Sequence, residues 1–213
     1  MATARLLRLA SPALPIGAFA WSSGLEAAIE AGVVTDEDSA EGWLGDALEL
    51  SVARWEAPVL WRLLHHTPGE DWNAVYLAAR ETRELRAETL QTGAGLWRLL
   101  ESLGETRGIA PPHDGPSLPW AWACAARVWA VAPAAALSAW IFAWVENQLA
   151  VLMKALPLGQ VASQRLLSRC LPRMARAQQL GQALPDDELS SMLPGLALLS
   201  SHHETQYSRL FRS

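Results

Sequence analysis

The chain has 213 residues, with 17 Lys and Arg against 22 Asp and Glu for a formal net charge of −5. Nucleic-acid recognition normally demands a broad basic surface, so that partner class is excluded first. Charged residues make 18% of the chain and hydrophobic ones 51%, against ~25% charged in a typical soluble domain, so part of the apolar surface is expected to meet another protein.

In chain order, the apolar run Met1 to Leu9 contains Arg5 and Arg8, and Ser11 to Pro15 ends it too early for a secretory signal, so a cytoplasmic chain is expected. Pro12, Pro15 and Gly17 then enforce an irregular, packed apolar loop. Ser22 or Ser23 can cap a helix through Glu30 that Gly32 stops, and Thr35 with Asp38 resembles the cap of the next. On that next helix Trp43, Ala47, Leu50 and Arg54 are expected to share a face. Pro58 starts or kinks the following stretch, whose Leu60, Leu63 and Leu64 suit the core before Thr67, Pro68 and Gly69 end it.

A helical region follows from about Asp71 to Leu103, with candidate breaks near Thr82 or Gly93 to Gly95, and then a long Gly- and Pro-rich loop, Gly104 to Pro119. Val128 to Val145 carries no charge and reaches the lower edge of the ~17–25 residues that span a bilayer. Pro133 lacks an amide hydrogen and belongs at a first turn, so it divides the run into one helix ending near Val131 and another beginning at Pro133. The second has too short an uncharged run before Glu146, Asn147 and Gln148, and no membrane span is expected. Helices from about Gln160 to Gln179 and from about Asp187 to His203 precede the tail Thr205 to Ser213. Ala and Leu abundance with apolar spacings of three and four makes the fold class all-α: one helical bundle over 1–213 with an extended C-terminal tail. Most of the 11 tryptophans are expected in its core, and Cys124 and Cys170 are expected to be reduced packing residues.

No GxxxxGK[ST] cradle and no GxSxG elbow occurs, so neither nucleotide hydrolysis nor serine-nucleophile chemistry is indicated. The histidines are His65, His66, His113, His202 and His203. Neighbours on a helix point about 100° apart, so neither His-His pair chelates one ion, and exposed or capping roles are expected. The block Arg80 to Glu88 holds one opposite-sign i, i+4 pair, Arg80 with Glu84, and like-charge neighbours elsewhere, so it does not satisfy itself. It is either a solvated face or a set of ion pairs to another helix or a partner chain. Glu146, Asn147 and Gln148 interrupt an apolar helix and are expected to be hydrogen-bonded. The tail SSHHETQYSRLFRS places Tyr207, Arg209, Phe211 and Arg212, types that dominate interface energies, on a segment with few ways to fold back by itself.

Taken together, SPALPIGAFAWSSGLEAAIEAG, RETRELRAE, the ENQ at Glu146 to Gln148, PLGQ at Pro157 to Gln160 and the terminal PGLALLSSHHETQYSRLFRS resemble the UreF family of urease accessory proteins over essentially the whole chain. It departs from the family's usual pattern at Ala20-Trp21-Ser22-Ser23, where a Ser-Tyr-Ser-Gln-like run is common, and at His202, where Arg is common. The resemblance implies an all-helical, cytoplasmic, homodimer-forming chaperone and not an enzyme. Its implied partners are the accessory protein UreD (UreH in some species), the GTPase UreG and apo-urease, with no nucleic acid and no membrane. It implies no tightly bound cofactor and no fixed metal ligands, nickel being handled by the assembled complex. Carried over by position, His203, Glu204, Thr205, Gln206, Tyr207, Ser208, Arg209, Leu210, Phe211 and Arg212 are the expected partner-binding tail. Arg80, Arg83, Glu84 and Arg86 are candidates for a dimer or partner surface. The rival reading from the residues is a helical ligand-binding bundle or enzyme with a Trp-lined apolar pocket.

Overall fold

The computed structural model describes residues 2–65, 71–106 and 108–213. Among them there is no strand, and the helices are α1 (Ala2–Leu9), α2 (Leu25–Glu30), α3 (Glu37–Asp46), α4 (Ala57–His65), α5 (Trp72–Ala78), α6 (Arg83–Ser102), α7 (Leu118–Val128), α8 (Pro133–Ala155), α9 (Gln160–Ala183) and α10 (Pro194–His203). The all-α reading is therefore correct.

Side-chain caps open α3, α5, α6 and α7. Thr82 accepts the Leu85 amide at 3.1 Å and opens α6, so the helical region breaks there. Gly93 and Gly95 do not break α6 but let neighbouring chain approach: a Cβ on Gly93 would lie 2.2 Å from the Pro116 carbonyl oxygen, and one on Gly95 3.1 Å from Ile16 Cα. The box that opens α3 starts at Asp36, one residue after the expected Thr35. Its carboxylate accepts the Ser39 amide at 2.9 Å while the Ser39 hydroxyl accepts the Asp36 amide at 3.0 Å. Those bonds hold the Asp36 carboxyl below its ordinary pKa. Gly32, at φ 70°, stops α2 as expected. Gly24 stands at the head of α2 and no side chain caps it, but the Ser22 hydroxyl accepts the Glu26 amide at 3.2 Å.

Two stretches differ from expectation. Between α3 and α4 the helical path is unbroken but π-helical over Ala47–Glu56, and Pro58 lies just inside α4. The wider i→i+5 turns split the face expected for Trp43, Ala47, Leu50 and Arg54: Ala47 is buried, while Leu50 and Arg54 are exposed. The final helix does not begin at Asp187. A 3-10 turn, Asp186–Glu188, and an irregular stretch lead to Pro194, which supplies the first turn of α10. Helix α9 extends to Ala183 and passes through Pro172. The stop expected at Thr67 to Gly69 lies outside the described residues, as does His66.

Pro133 divides the tryptophan-rich run as expected, with α7 ending at Val128 and α8 starting at Pro133. Helix α8 is long and apolar enough to cross a bilayer, at mean hydropathy 1.3 over its best 18-residue window, yet 56% of that window is buried in the fold. Its Gln148 is 1% exposed and donates to the Ser22 carbonyl at 3.2 Å, which is the behaviour of a core helix. Helix α8 packs mainly on α9 and α4, and these with α6, α7 and the π-helical stretch close one large core. The tryptophans there pack on each other: Trp122 meets Trp140 edge-on at 5.3 Å between ring centroids, and Trp97 meets Trp120 at 5.3 Å. Cys124 and Cys170 are free and buried, and burial pushes both thiols upward, Cys124 to about 11.

Candidate functional site

The segment from Glu204 to Ser213 does fold back, contrary to the expectation from its position. It lies against the Ala20 to Glu26 stretch and α6. The reason is a pair of buried carboxylates that need partners. Glu26, in the first turn of α2, is 6% exposed, and Glu84, in the first turn of α6, is 7% exposed. His203, the last residue of α10, is fully buried between them, with Nδ1 2.7 Å from Glu84 Oε2 and Nε2 3.2 Å from Glu26 Oε2. A carboxylate only accepts, so both contacts are made when the ring donates from each nitrogen. The exposed or capping role expected of the histidines is thus wrong for His203, whereas His202 and His113 are exposed and His65 places Nδ1 2.9 Å from the Trp61 carbonyl.

The tail completes the cluster. Glu26 accepts the Leu210 amide at 2.6 Å and the Phe211 amide at 2.9 Å, while Arg209 donates to Glu84 Oε1 at 2.7 Å and to the Glu204 carbonyl at 2.7 Å. Phe211 enters the core at 7% exposure, with the Lys154 ammonium 4.5 Å from its ring centre. The Arg212 amide donates to the Ala20 carbonyl at 2.8 Å, and the Ser213 carbonyl accepts from both the amide and the hydroxyl of Ser22.

Two further elements hold the Ala20 to Glu26 stretch from behind. Asn147 Nδ2 donates to the Trp21 carbonyl at 3.0 Å, beside the Gln148 bond to Ser22. On α6, Glu88 accepts the hydroxyls of Ser23 at 2.7 Å and Ser213 at 3.1 Å. Burial pushes the Glu88 carboxyl up to about 7 against those two hydrogen bonds. The N-terminal motif, the arginine block, the ENQ triplet and the terminal motif therefore converge on one place.

The charged block finds its partners on other elements, as its internal mismatch implied. Arg80 precedes α6 and pairs with Glu56 at 3.2 Å, its guanidinium 4.4 Å from the Tyr76 ring centre; its side chain is only 9% exposed. Arg86 donates to the Leu77 carbonyl at 2.5 Å, and Glu84 belongs to the buried cluster. Arg83, 78% exposed, reaches Glu204 at 3.3 Å. Of the tail, Thr205, Tyr207, Ser208, Arg209, Leu210 and Arg212 are exposed, His203 and Phe211 are buried, and Glu204 and Gln206 are half-buried.

Sequence reasoning missed Glu26, Ser22, Ser23 and Glu88 as parts of this site. A glutamate in a first turn reads as a dipole complement, and only the scarcity of charge in so apolar a chain hinted that these carboxylates had partners. Among the described residues no group of three or more His, Cys, Asp or Glu is placed to hold a metal ion. An apolar groove of about 390 Å³ runs between the Leu9 to Phe19 segment and α8, with Trp122 as its one tryptophan.

A family model described as UreF matches residues 34–171. Over nearly its full length the chain is similar to curated proteins named urease accessory protein UreF. The one from Ectopseudomonas mendocina (strain ymp) is 51% identical over 98% of this chain and 97% of its own length. That from Azotobacter vinelandii is 50% identical over the same shares, and that from Pseudomonas aeruginosa (strain LESB58) is 51% identical over 97% of each.

Proposed function

The chain belongs to the UreF family of urease accessory proteins, and from that premise we propose that it acts as a non-enzymatic scaffold whose docked tail binds the accessory protein UreD (UreH). In this reading it recruits the GTPase UreG, so that nickel, the cargo, enters apo-urease within the assembled complex. The working unit is a cytoplasmic homodimer.

One observation carries the reading: the tail is anchored along one edge and bare along the other. Glu26, Glu84 and Glu88 hold His203, Arg209, Leu210, Phe211 and Ser213 from below, while the Tyr207 side chain is fully exposed and Leu210 is 55% exposed. A rigidly held segment presenting an aromatic and a leucine, with Arg83 and Arg212 beside them, offers a preorganised interface at low ordering cost. Arg83 and Arg212 supply the exposed charge of the proposed partner surface. Arg80, Glu84 and Arg86 act behind it, by fixing α5, α6 and the tail.

The test is co-expression of the urease operon with this chain, without it, and with Tyr207→Ala/Leu210→Asp. The double variant is expected to keep its fold, to lose UreD in a pull-down and to leave urease low in nickel and activity. Wild-type recovery of UreD by the double variant would overturn the assignment of this edge.

A further inference from the structure

Helix α9 is tied to α3 and to the π-helical stretch by a ladder of opposite charges. Arg165 donates to Glu37 at 2.6 Å, Arg169 meets Glu41 at 2.8 Å and Arg173 meets Glu49 at 3.5 Å, rungs that rise by four residues along α9. The Arg165 guanidinium holds the Glu37 carboxyl below its ordinary pKa. The ladder stops there: the next position four residues on is Ala177, and beside it Arg176 of α9 and Arg54 of the π-helical stretch line one groove. Both are exposed, and neither has a carboxylate within 4.0 Å among the described residues.

These two arginines line a groove of about 440 Å³ with the buried Ala53 and Ala177 beneath it, Leu50 and Leu180 beside them, and Glu49 on the same rim. Leu50 is 42% exposed. Small residues beneath the groove leave room for side chains from outside, and because Glu49 is engaged by Arg173 at 3.5 Å, Arg54 and Arg176 remain as cations open to an anionic group. The groove shares no residue with the tail site.

We propose that this groove docks an acidic amphipathic helix of a partner protein. Leucine-type side chains at i, i+3, i+4 and i+7 fill the space over Ala53 and Ala177, and carboxylates on the flanks meet Arg54 and Arg176. The two opposing arginines select against basic helices. The π-helical turns create the site, because they turn Leu50 and Arg54 outward.

The test uses the full chain and two fluorescein-labelled helical peptides of about 18 residues with identical leucine spacing, one flanked by Glu and the other by Lys. Fluorescence anisotropy at low salt is expected to favour the Glu peptide by about tenfold or more, with the preference falling as salt rises. Arg54→Glu/Arg176→Glu is expected to invert the preference, and Leu50→Ala to weaken both peptides while circular dichroism stays unchanged. Equal binding of the two peptides, no binding of the Glu peptide, or a preference untouched by charge reversal overturns the proposal. So does a change in the oligomeric state of the chain alone on charge reversal, which would make the groove a self-interface.

Discussion

His203 Nδ1 lies 2.7 Å from Glu84 Oε2, and the same ring reaches Glu26 Oε2 through Nε2 at 3.2 Å, so one imidazole joins α6 to α2, whose Glu26 is 177 residues away in sequence. Removing it leaves two buried carboxylates without that partner. His203→Ala is therefore expected to cost about 3–5 kcal/mol, the range for breaking a buried charged pair from one side. Urea unfolding measures it; a loss below about 1 kcal/mol would mean that the ring is replaceable by solvent.

The tail is part of the core's boundary. Phe211→Ala is expected to destabilise by about 3 kcal/mol, because a nearly buried ring is lost, and Glu26→Ala is expected to free the Leu210 and Phe211 amides. Hydrogen exchange checks the second point: both amides should exchange much faster in Glu26→Ala while those of α8 keep their protection. Unchanged protection at Phe211 would show that other bonds suffice.

Glu88 gives stability a pH slope. Its carboxyl is pushed up to about 7 in the folded chain against an ordinary value of 4.5. Between those values the folded state holds the extra proton, so its contribution to stability falls as pH rises from 4.5 to about 7 and is flat beyond. Near it, Arg80 opposes the shift and Glu56 adds to it. Glu88→Gln does not titrate and keeps one acceptor oxygen, its NH2 facing the other serine hydroxyl, which can turn to accept. The difference between wild-type and Glu88→Gln stability should therefore decline across that window, and a rise would sink the assignment.

Gly93→Ala places a methyl 2.2 Å from the Pro116 carbonyl oxygen, where only backbone can yield. We expect a loss of about 2–3 kcal/mol in urea unfolding, in the range for overpacking. Gly104→Ala, with nothing within 4 Å but φ at +70°, is expected to cost less.

Local chemistry was readable from the residues themselves. Thr82 announces the start of α6 and Pro133 that of α8, because a cap and a missing amide act within one turn. The tail's motif was legible as a unit, but its seat was not. Glu26, Glu84 and His203 look like any surface charges in sequence, and only a long-range fold decides that they are buried together. The π-helical stretch left no compositional trace either, since Leu50 and Arg54 fit an α-helical face as well as the one they occupy. In both places a local rule fails where the chain builds a surface or a docking seat.

The ten π-helical residues amount to stored length. A path closed by i→i+5 bonds carries more chain per turn than an α-helix, so deleting one residue between Ala47 and Glu56 could be absorbed by tightening a turn, leaving α3 and α4 on their present axes and in their present register. Residues inside the shortened stretch would shift around the axis by up to about 100° relative to those flanks. Such a chain would keep its bundle and lose the outward placement of Leu50 and Arg54, making register within this single stretch a means of altering what the outer face recognises without disturbing the core.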